Sequence, residues 1–83
     1  MATGVELYGS SSCPYTRELR EQLQWEQRDF VEYDVEADDA ALRRMMALTG
    51  GQRTVPVLVE EGRVAQIGWQ GRGCVVSPPG AGG

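Results

Sequence analysis

The stretch Ser12-Cys13-Pro14-Tyr15-Thr16 lies where a predicted strand gives way to a predicted helix, and the other motifs are arranged around it. Proline is favoured as the first residue of a helix, because its φ suits the helix and its missing N–H is not needed there. Cys13 is therefore predicted at the N-cap, where free backbone amides and the helix dipole favour a thiolate and a lowered pKa. The alternative is that Cys13 is a buried apolar residue, as most free cysteines are.

Composition excludes several classes of function. The 83 residues make one domain, and no stretch reaches the ~20 apolar residues of a membrane span. No signal peptide is recognisable, so we expect a cytoplasmic protein without a structural disulfide. The net charge of −4 and the absence of lysine and of a basic stripe make nucleic acid a poor partner. The absence of histidine excludes Ser-His-Asp and Cys-His catalysis and a four-ligand Cys/His zinc site.

Hydrophobic periodicity predicts an alternation of strands and helices that ends in a hairpin. The predicted elements are strand 5–8, helix 14–28, strand 30–35, a helix that begins at Asp38 or Asp39 and ends at 49–51, strand 52–59 and strand 64–67. The residues predicted to face the core are Tyr15, Leu19 and Leu23 in the first helix and Leu42, Met45, Met46 and Leu48 in the second. The predicted strand over 52–59 contains Pro56, which has no N–H to donate to a ladder. Pro56 must therefore lie at a sheet edge, at a bulge or at the start of the strand.

Two tetrapeptides carry a family resemblance. Cys13-Pro14-Tyr15-Thr16 after the first strand and Arg53-Thr54-Val55-Pro56 at the start of the third resemble the glutaredoxin family, over roughly Val5 to Gly68. The resemblance implies an α/β, thioredoxin-like fold of the glutaredoxin type, β-α-β-α-β-β, with a four-stranded mixed sheet and its first two strands parallel. It also implies a cis peptide before Pro56, which lies beside Cys13 in that fold.

The resemblance assigns catalytic roles to Cys13, Pro14, Tyr15 and Thr16. Cys13 resembles the attacking thiol, which forms a mixed disulfide with glutathione or with a protein. Tyr15 would flank the groove, with a place in the core as the alternative. Thr16 stands where dithiol relatives have a second cysteine, so a Cys-x-x-Cys disulfide cannot form and a monothiol route is implied. Thr16 either bonds the thiolate or serves the first helical turn.

The second tetrapeptide resembles the glutathione-binding residues of the family. Arg53 resembles the cation that meets a carboxylate of glutathione through bidentate hydrogen bonds, with a plain surface charge as the alternative. The backbone of Val55 resembles the edge that pairs like a short strand with the cysteinyl part of glutathione, next to Thr54 and Pro56. Glutathione is therefore expected as co-substrate, and no metal is expected.

The chain departs from the family pattern in two places, before Cys13 and after Ile67. No lysine precedes Cys13, so a helix end, backbone amides or an arginine must stabilise the thiolate. Arg17, one turn along, is a candidate, with an ion pair to Glu21 as the alternative. After Ile67 the glycine-rich sequence lacks the motif that holds the glutamyl end of glutathione and argues against the usual third helix. We therefore expect a truncated domain over 1–76, with a disordered tail over 77–83.

Cys74 lies in this unusual segment. It is either a resolving thiol that forms a disulfide with Cys13 or an inert residue that docks the tail with Val75 and Val76. The segment with Trp69 and Cys74 resembles a small bacterial glutaredoxin-like branch in which some relatives use selenocysteine.

Three functions fit these features. The first is a glutathione-linked thiol–disulfide oxidoreductase in redox homeostasis, a monomer or a dimer through an exposed apolar patch, acting on glutathionylated or disulfide-bonded proteins. The second is an iron–sulfur carrier, in which two subunits share a cluster through Cys13 and glutathione. The third is a redox partner that uses Cys13 and Cys74 without glutathione.

Overall fold

The computed structural model describes residues 4–76, which form two sheets and two helices. In chain order the elements are β1 (Val5–Gly9), α1 (Pro14–Trp25), β2 (Val31–Asp34), α2 (Asp39–Thr49), β3 (Thr54–Val55), β4 (Val57–Glu60), β5 (Arg63–Ile67) and β6 (Cys74–Val75).

The main sheet has four strands in the order β2-β1-β4-β5. β1 pairs with β2 in parallel, whereas β1–β4 and β4–β5 are antiparallel. The connection through α1 allows the parallel pair, and a two-residue turn closes the β4–β5 hairpin. The predicted mixed sheet, with its first two strands parallel, is confirmed.

The prediction of one continuous strand over 52–59 is wrong. The chain divides at Pro56 into β3, which pairs with β6, and β4, which joins the main sheet. Proline has no N–H to donate to a ladder, so the residue falls between two strands of different sheets. The peptide bond between Val55 and Pro56 is cis, as the family resemblance implied.

Both helices begin at residues that suit a helix start. Pro14 is the first residue of α1, and Cys13 is the N-cap in extended conformation. Of the two candidate caps of α2, Asp38 is the one used, since its side chain accepts a hydrogen bond from the Ala41 N–H at 3.2 Å. α1 ends at Trp25, three residues before the predicted end.

Two buried clusters lie on opposite faces of the main sheet, because successive residues of β1 and β4 point to opposite sides. The α1 side contains Leu7, Leu19, Leu23 and Leu58. The α2 side contains Tyr8, Cys13, Val35, Ala41, Leu42, Met45, Val55, Val57, Val59 and Val76. Burial of one leucine or valine stabilises the fold by roughly 1.5–3 kcal/mol.

The first turn of α1 packs differently from the prediction. Tyr15 is half-buried against the Cys13 cluster rather than beside Leu19 and Leu23, and Thr16 is the fully buried residue of this turn. In α2, Leu42 and Met45 are buried and Met46 and Leu48 half-buried, as expected.

No helix follows β5 within residues 4–76, in agreement with the expected loss of the third helix. A tight turn over Trp69–Arg72 instead leads to β6. The tail predicted over 77–83 lies outside the described residues. Over 4–76, neither helix is long and apolar enough to cross a membrane.

Candidate active site

Cys13 lies at the N-terminus of α1 with only 2% of its surface exposed. Its Sγ donates to the carbonyl oxygen of Val55 at 3.9 Å, which places the thiol against the residue before the cis-proline. A shallow cavity of about 150 Å³ opens beside it and is lined by Ser11, Ser12, Cys13, Pro14 and Arg17. The first turn of α1 and β3 thus meet at one sulfur.

The environment of Cys13 favours its thiolate. Burial raises the pKa of Cys13, but hydrogen bonds from the Cys74 thiol, the Thr16 N–H and hydroxyl and the Tyr15 N–H outweigh it, so the net pKa is lowered. The amides are those of the first helical turn, where N–H groups have no partner within the helix. The predicted direction of the shift is confirmed, and its sources include a second thiol.

Cys74 is the thiol that contacts Cys13. In β6 it pairs with Val55 across the antiparallel ladder, and its side chain hydrogen-bonds to the Cys13 sulfur. That bond, together with burial, the charge on Cys13 and the charge on Glu36, raises the pKa of Cys74 to about 11. Both cysteines are free. The structure therefore pairs a thiolate-forming sulfur with a sulfur that retains its proton.

A two-residue turn carries the chain back to β3. Trp69 and Arg72 exchange backbone hydrogen bonds of 2.6 and 2.9 Å, and Gln70 and Gly71 between them have φ of 53° and 78°. Positive φ at both central residues is the requirement of a type I′ hairpin turn. Sequence reasoning missed this turn and β6, although the glycine after Gln70 and the β-branched residues after Cys74 were their available signals.

The predicted glutathione-binding residues lie together in β3 and immediately beside it, but β6 already pairs with the β3 edge. Thr54 pairs with Val75, next to the Val55 and Cys74 pair. The Arg53 guanidinium donates to the Val76 carbonyl oxygen at 2.9 Å, and the Val76 N–H donates to the Arg53 carbonyl at 3.0 Å. Arg53 is therefore neither a free surface charge nor open to a ligand in this conformation.

Thr16 has one of the two roles considered for it, the hydrogen bond from its hydroxyl to Cys13, and it also holds the loop before α1. Its hydroxyl lowers the pKa of Cys13, and its Oγ1 accepts a hydrogen bond from the Ser10 N–H at 3.3 Å. Its side chain packs so closely on Gly9 that any Cβ there would collide with it. Arg17 lines the opening and forms no ion pair with Glu21 within residues 4–76.

A carboxylate at the site was not predicted. Glu36 accepts hydrogen bonds from the hydroxyls of Ser10 and Ser12, the latter at 3.0 Å, and its charge raises the pKa of Cys74. Both of these serines in the loop before α1 thus have a side-chain partner. No local pattern distinguishes Glu36 from other exposed carboxylates, because its role comes from the approach of the loop after β2.

Metal ligation finds no support in side-chain clustering. No group of three or more Cys, His, Asp or Glu residues that could hold a metal ion occurs between residues 4 and 76.

Comparisons with known proteins agree with this geometry. The family model described as glutaredoxin matches residues 5–65. A probable glutaredoxin of Synechocystis sp. is 38% identical over 52 residues, which are 63% of this chain and 48% of that protein. The chain thus spans about half the length of this curated relative, whose cyanobacterial source suggests a bacterial origin for the chain.

Solved structures share the fold. A mutant of a thioredoxin-like protein superposes with a TM-score of 0.70 and 28% identity, over 83% of this chain and 86% of that one. The glutaredoxin of Archaeoglobus fulgidus superposes with a TM-score of 0.72 and 23% identity, over 82% of this chain and 77% of that one. Wheat glutaredoxin superposes with a TM-score of 0.66 and 20% identity, over 81% of this chain and 63% of that one. The last two show the fold alone.

The family match covers β1 to β5 and stops before Cys74, so β6 lies beyond what it describes. Within the match lie the N-cap cysteine, the cis-proline and the mixed sheet. The chain belongs to the glutaredoxin family, whose members are generally thiol–disulfide oxidoreductases.

Proposed function

We propose that the protein catalyses glutathione-linked thiol–disulfide exchange, with Cys13 as the attacking thiol and Cys74 as the resolving thiol. The observation that carries this proposal is the position of Cys74, which pairs with Val55 across the β3–β6 ladder while the Val55 carbonyl oxygen lies 3.9 Å from the Cys13 Sγ; the opposite pKa shifts of the two thiols support it. Exchange requires the thiolate of one cysteine and the close approach of a second sulfur, and the pair meets both requirements.

The proposed reaction has three balanced steps. The Cys13 thiolate attacks a disulfide R–S–S–R′, forms Cys13–S–S–R and releases R′–S⁻. The Cys74 thiolate then attacks the Cys13 sulfur, forms the Cys13–Cys74 disulfide and releases R–S⁻. Two glutathione thiols reduce this disulfide through a mixed disulfide, which yields glutathione disulfide and restores both cysteines.

The pKa shifts give these steps an order. While Cys13 is a thiolate, its hydrogen bond and charge hold the pKa of Cys74 at about 11, so Cys74 stays protonated. When Cys13 enters a mixed disulfide, that charge is lost and Cys74 deprotonates more easily. The proposed resolving thiol therefore becomes a nucleophile only once the mixed disulfide has formed.

Glutathione is the proposed electron donor. The support is membership of the glutaredoxin family and the presence of Arg53, a guanidinium suited to a carboxylate, next to the β3 edge. Exchange of this kind requires a reduced thiol pool, which favours a cytoplasmic location. We expect glutathionylated or disulfide-bonded proteins as the oxidised substrates. No contact within residues 4–76 specifically favours the iron–sulfur carrier.

The test is intact mass and peptide mapping of the reduced protein after brief exposure to glutathione disulfide, beside a Cys74→Ser variant. The wild type should form the Cys13–Cys74 disulfide, 2 mass units below the reduced protein, because each disulfide removes two hydrogens. The variant should retain glutathione on Cys13, since serine cannot resolve the adduct.

A Cys13→Ser variant serves as the matched control and should form neither the intramolecular disulfide nor an adduct at position 13, because it lacks the attacking thiol. A stable glutathione adduct on Cys13 of the wild type would eliminate Cys74 as the resolving thiol. No reaction at Cys13 in any protein would contradict the proposed activity itself.

A further inference from the structure

We infer that β6 is a built-in mimic of the glutathionyl substrate, which must leave β3 before Cys13 reacts and returns to resolve the mixed disulfide. This inference rests on the proposed function, because it names what the same site accepts and how access to it is controlled. Three independent features of the segment over residues 73–76 support it.

The first feature is the burial that β6 imposes on the nucleophile. Cys13 is 2% exposed and shares a cluster with Val76, while Cys74 packs against the same cluster. A thiolate must approach a disulfide along the S–S axis, which a covered sulfur cannot do with a tripeptide disulfide. β6 is only two residues long and pairs with the two residues of β3, so its opening requires few contacts to break.

The second feature is the residue before the cysteine. A Cβ built on Gly73 lies 2.6 Å from the Val55 carbonyl oxygen and 2.8 Å from the Thr54 Cγ2, so only an unbranched carbon fits there. In glutathione the cysteine amide is formed by the side-chain carboxyl of glutamate, and the carbon next to that carbonyl is an unbranched methylene. Gly73-Cys74 therefore reproduces the steric shape of γ-glutamyl-cysteine, which an α-linked alanine would not.

The third feature is the contact beyond the cysteine. Arg53 donates to the Val76 carbonyl oxygen at 2.9 Å, two residues beyond Cys74, so its guanidinium lies on the C-terminal side of the position that Cys74 occupies opposite Val55. A guanidinium binds a carboxylate more strongly than a neutral carbonyl. Glutathione can thus displace β6, since it offers Arg53 the better acceptor while keeping the same strand pairing.

The reaction that follows displacement consists of two exchanges. The Cys13 thiolate attacks glutathione disulfide, forms the Cys13–glutathione disulfide and releases one glutathione thiolate. β6 then displaces the glutathionyl group from β3, and the Cys74 thiolate attacks the Cys13 sulfur, forms the Cys13–Cys74 disulfide and releases the second glutathione as its thiolate.

The test uses the Cys74→Ser protein, in which Cys13 is the sole remaining cysteine. Gly73→Ala is added because its methyl group collides with the β3 backbone and should open β6. Gly71→Ala is a second opening variant, since alanine is strained at φ 78° in the turn. Gly50→Ala is the matched control, because it has φ 73° and equally open surroundings but lies at the end of α2.

The measurement is the rate of Cys13 modification by iodoacetamide and by glutathione disulfide, with urea unfolding to establish that each protein is folded. Gly73→Ala and Gly71→Ala should raise both rates roughly tenfold, as expected for the loss of one or two strand hydrogen bonds. Gly50→Ala should leave both rates within about twofold of the parent, because its strain lies outside β6.

Equal rates in the opening variants and the control would overturn the gating role of β6 and leave the exchange activity intact. Faster alkylation without any reaction with glutathione disulfide would overturn both the substrate class and the proposed function.

The steric requirement is tested separately with two disulfides on the Gly71→Ala, Cys74→Ser protein. The disulfide of acetyl-Gly-Cys-Gly should react nearly as fast as glutathione disulfide, whereas that of acetyl-Ala-Cys-Gly should react roughly tenfold more slowly. Equal rates for the alanine and glycine peptides would contradict the assignment of Gly73 as a substrate mimic.

Discussion

At the scale of single residues, the site consists of two sulfurs in different protonation states. Burial alone would favour the neutral thiol at Cys13, yet donors from Cys74 and the first turn of α1 reverse that preference. Cys74 donates its proton to the same bond, and its own pKa rises to about 11. A hydrogen bond between thiols thus activates one and protects the other.

Thr16 provides the residue-scale prediction. Thr16→Val keeps the shape of the buried side chain but removes the hydroxyl, which raises the pKa of Cys13 and reduces its thiolate fraction. Alkylation of Cys13 at pH 7 should slow about three- to tenfold, the worth of roughly one hydrogen bond. The measurement is the pH dependence of the alkylation rate, with Cys13 identified by peptide mapping.

Thr16→Ser is the matched control, because it retains the hydroxyl and should keep the midpoint of the wild-type pH profile. If the valine variant shows the same midpoint, the Thr16 hydroxyl makes no contribution, and Cys74 and the backbone amides activate Cys13 without it.

At the scale of secondary-structure elements, local caps decide where helices begin, while pairing decides where the short strands form. Pro14 starts α1 one residue after the nucleophile, which aims the free amides of the first turn at Cys13. β3 and β6 have two residues each and exist as strands through their mutual pairing. The twelve-residue helix α1 thus begins beside the proposed attacking thiol, whereas the two-residue β6 carries the proposed resolving thiol.

The N-terminus of α2 provides the element-scale prediction. Asp38→Ala should lower the free energy of unfolding by about 1 kcal/mol, because the Ala41 N–H loses its side-chain acceptor. Asp39→Ala, at the neighbouring position, removes an exposed ion pair with Arg43 and should lower the free energy of unfolding by only about 0.3–0.5 kcal/mol. The comparison is made by urea unfolding of the reduced proteins. A larger effect at Asp39 would reverse the cap assignment.

At the scale of the whole molecule, the chain builds one cluster on each face of its main sheet, and the active site belongs to the α2 side. Cys13 and Val55 are members of that cluster as well as of the site. Opening the site therefore disturbs part of the core. Because the pKa values of the two cysteines differ between the folded and unfolded chain, their protonation is coupled to the stability of the fold.

The pH dependence of stability is the whole-molecule prediction. From the lowered pKa of Cys13 up to pH 9, the unfolded chain binds two thiol protons and the folded one binds one, so stability rises with pH. From pH 9 to about 11 the unfolded chain has lost both protons while Cys74 retains one when folded, so stability falls. The contribution of the pair should peak near pH 9, the ordinary cysteine value.

The measurement is the difference in free energy of unfolding between the reduced wild type and a Cys13→Ser, Cys74→Ser protein, from pH 6 to 11. The limiting slope on each side is about 1.4 kcal/mol per pH unit. The pKa of Tyr8 is also raised, to about 12, chiefly by burial, but this tyrosine is present in both proteins and cancels. A difference that is flat with pH would mean that the two thiols do not interact.

Local sequence was sufficient to predict much of the molecule. Apart from the division of the predicted strand 52–59 into β3 and β4, the order of strands and helices up to β5 follows from hydrophobic periodicity. The N-cap position of Cys13 follows from the proline after it. Both features depend on neighbouring residues in the chain. The two tetrapeptides identified the family correctly. For the start of α2 the sequence left two candidate caps, Asp38 and Asp39, because aspartate is a good cap at either position. Only the backbone geometry selects Asp38.

Tertiary structure alone decided the rest, because β6 depends on contacts between distant parts of the chain. Nothing near Cys74 indicates that it pairs with Val55, or that Val76 occupies the acceptor position at Arg53. A two-residue strand has too little local preference to be recognised and becomes stable only when a matching edge is present. The sequence by itself placed Cys13 at the helix N-cap and made it the candidate nucleophile, whereas the fold determined that a second sulfur lies against it.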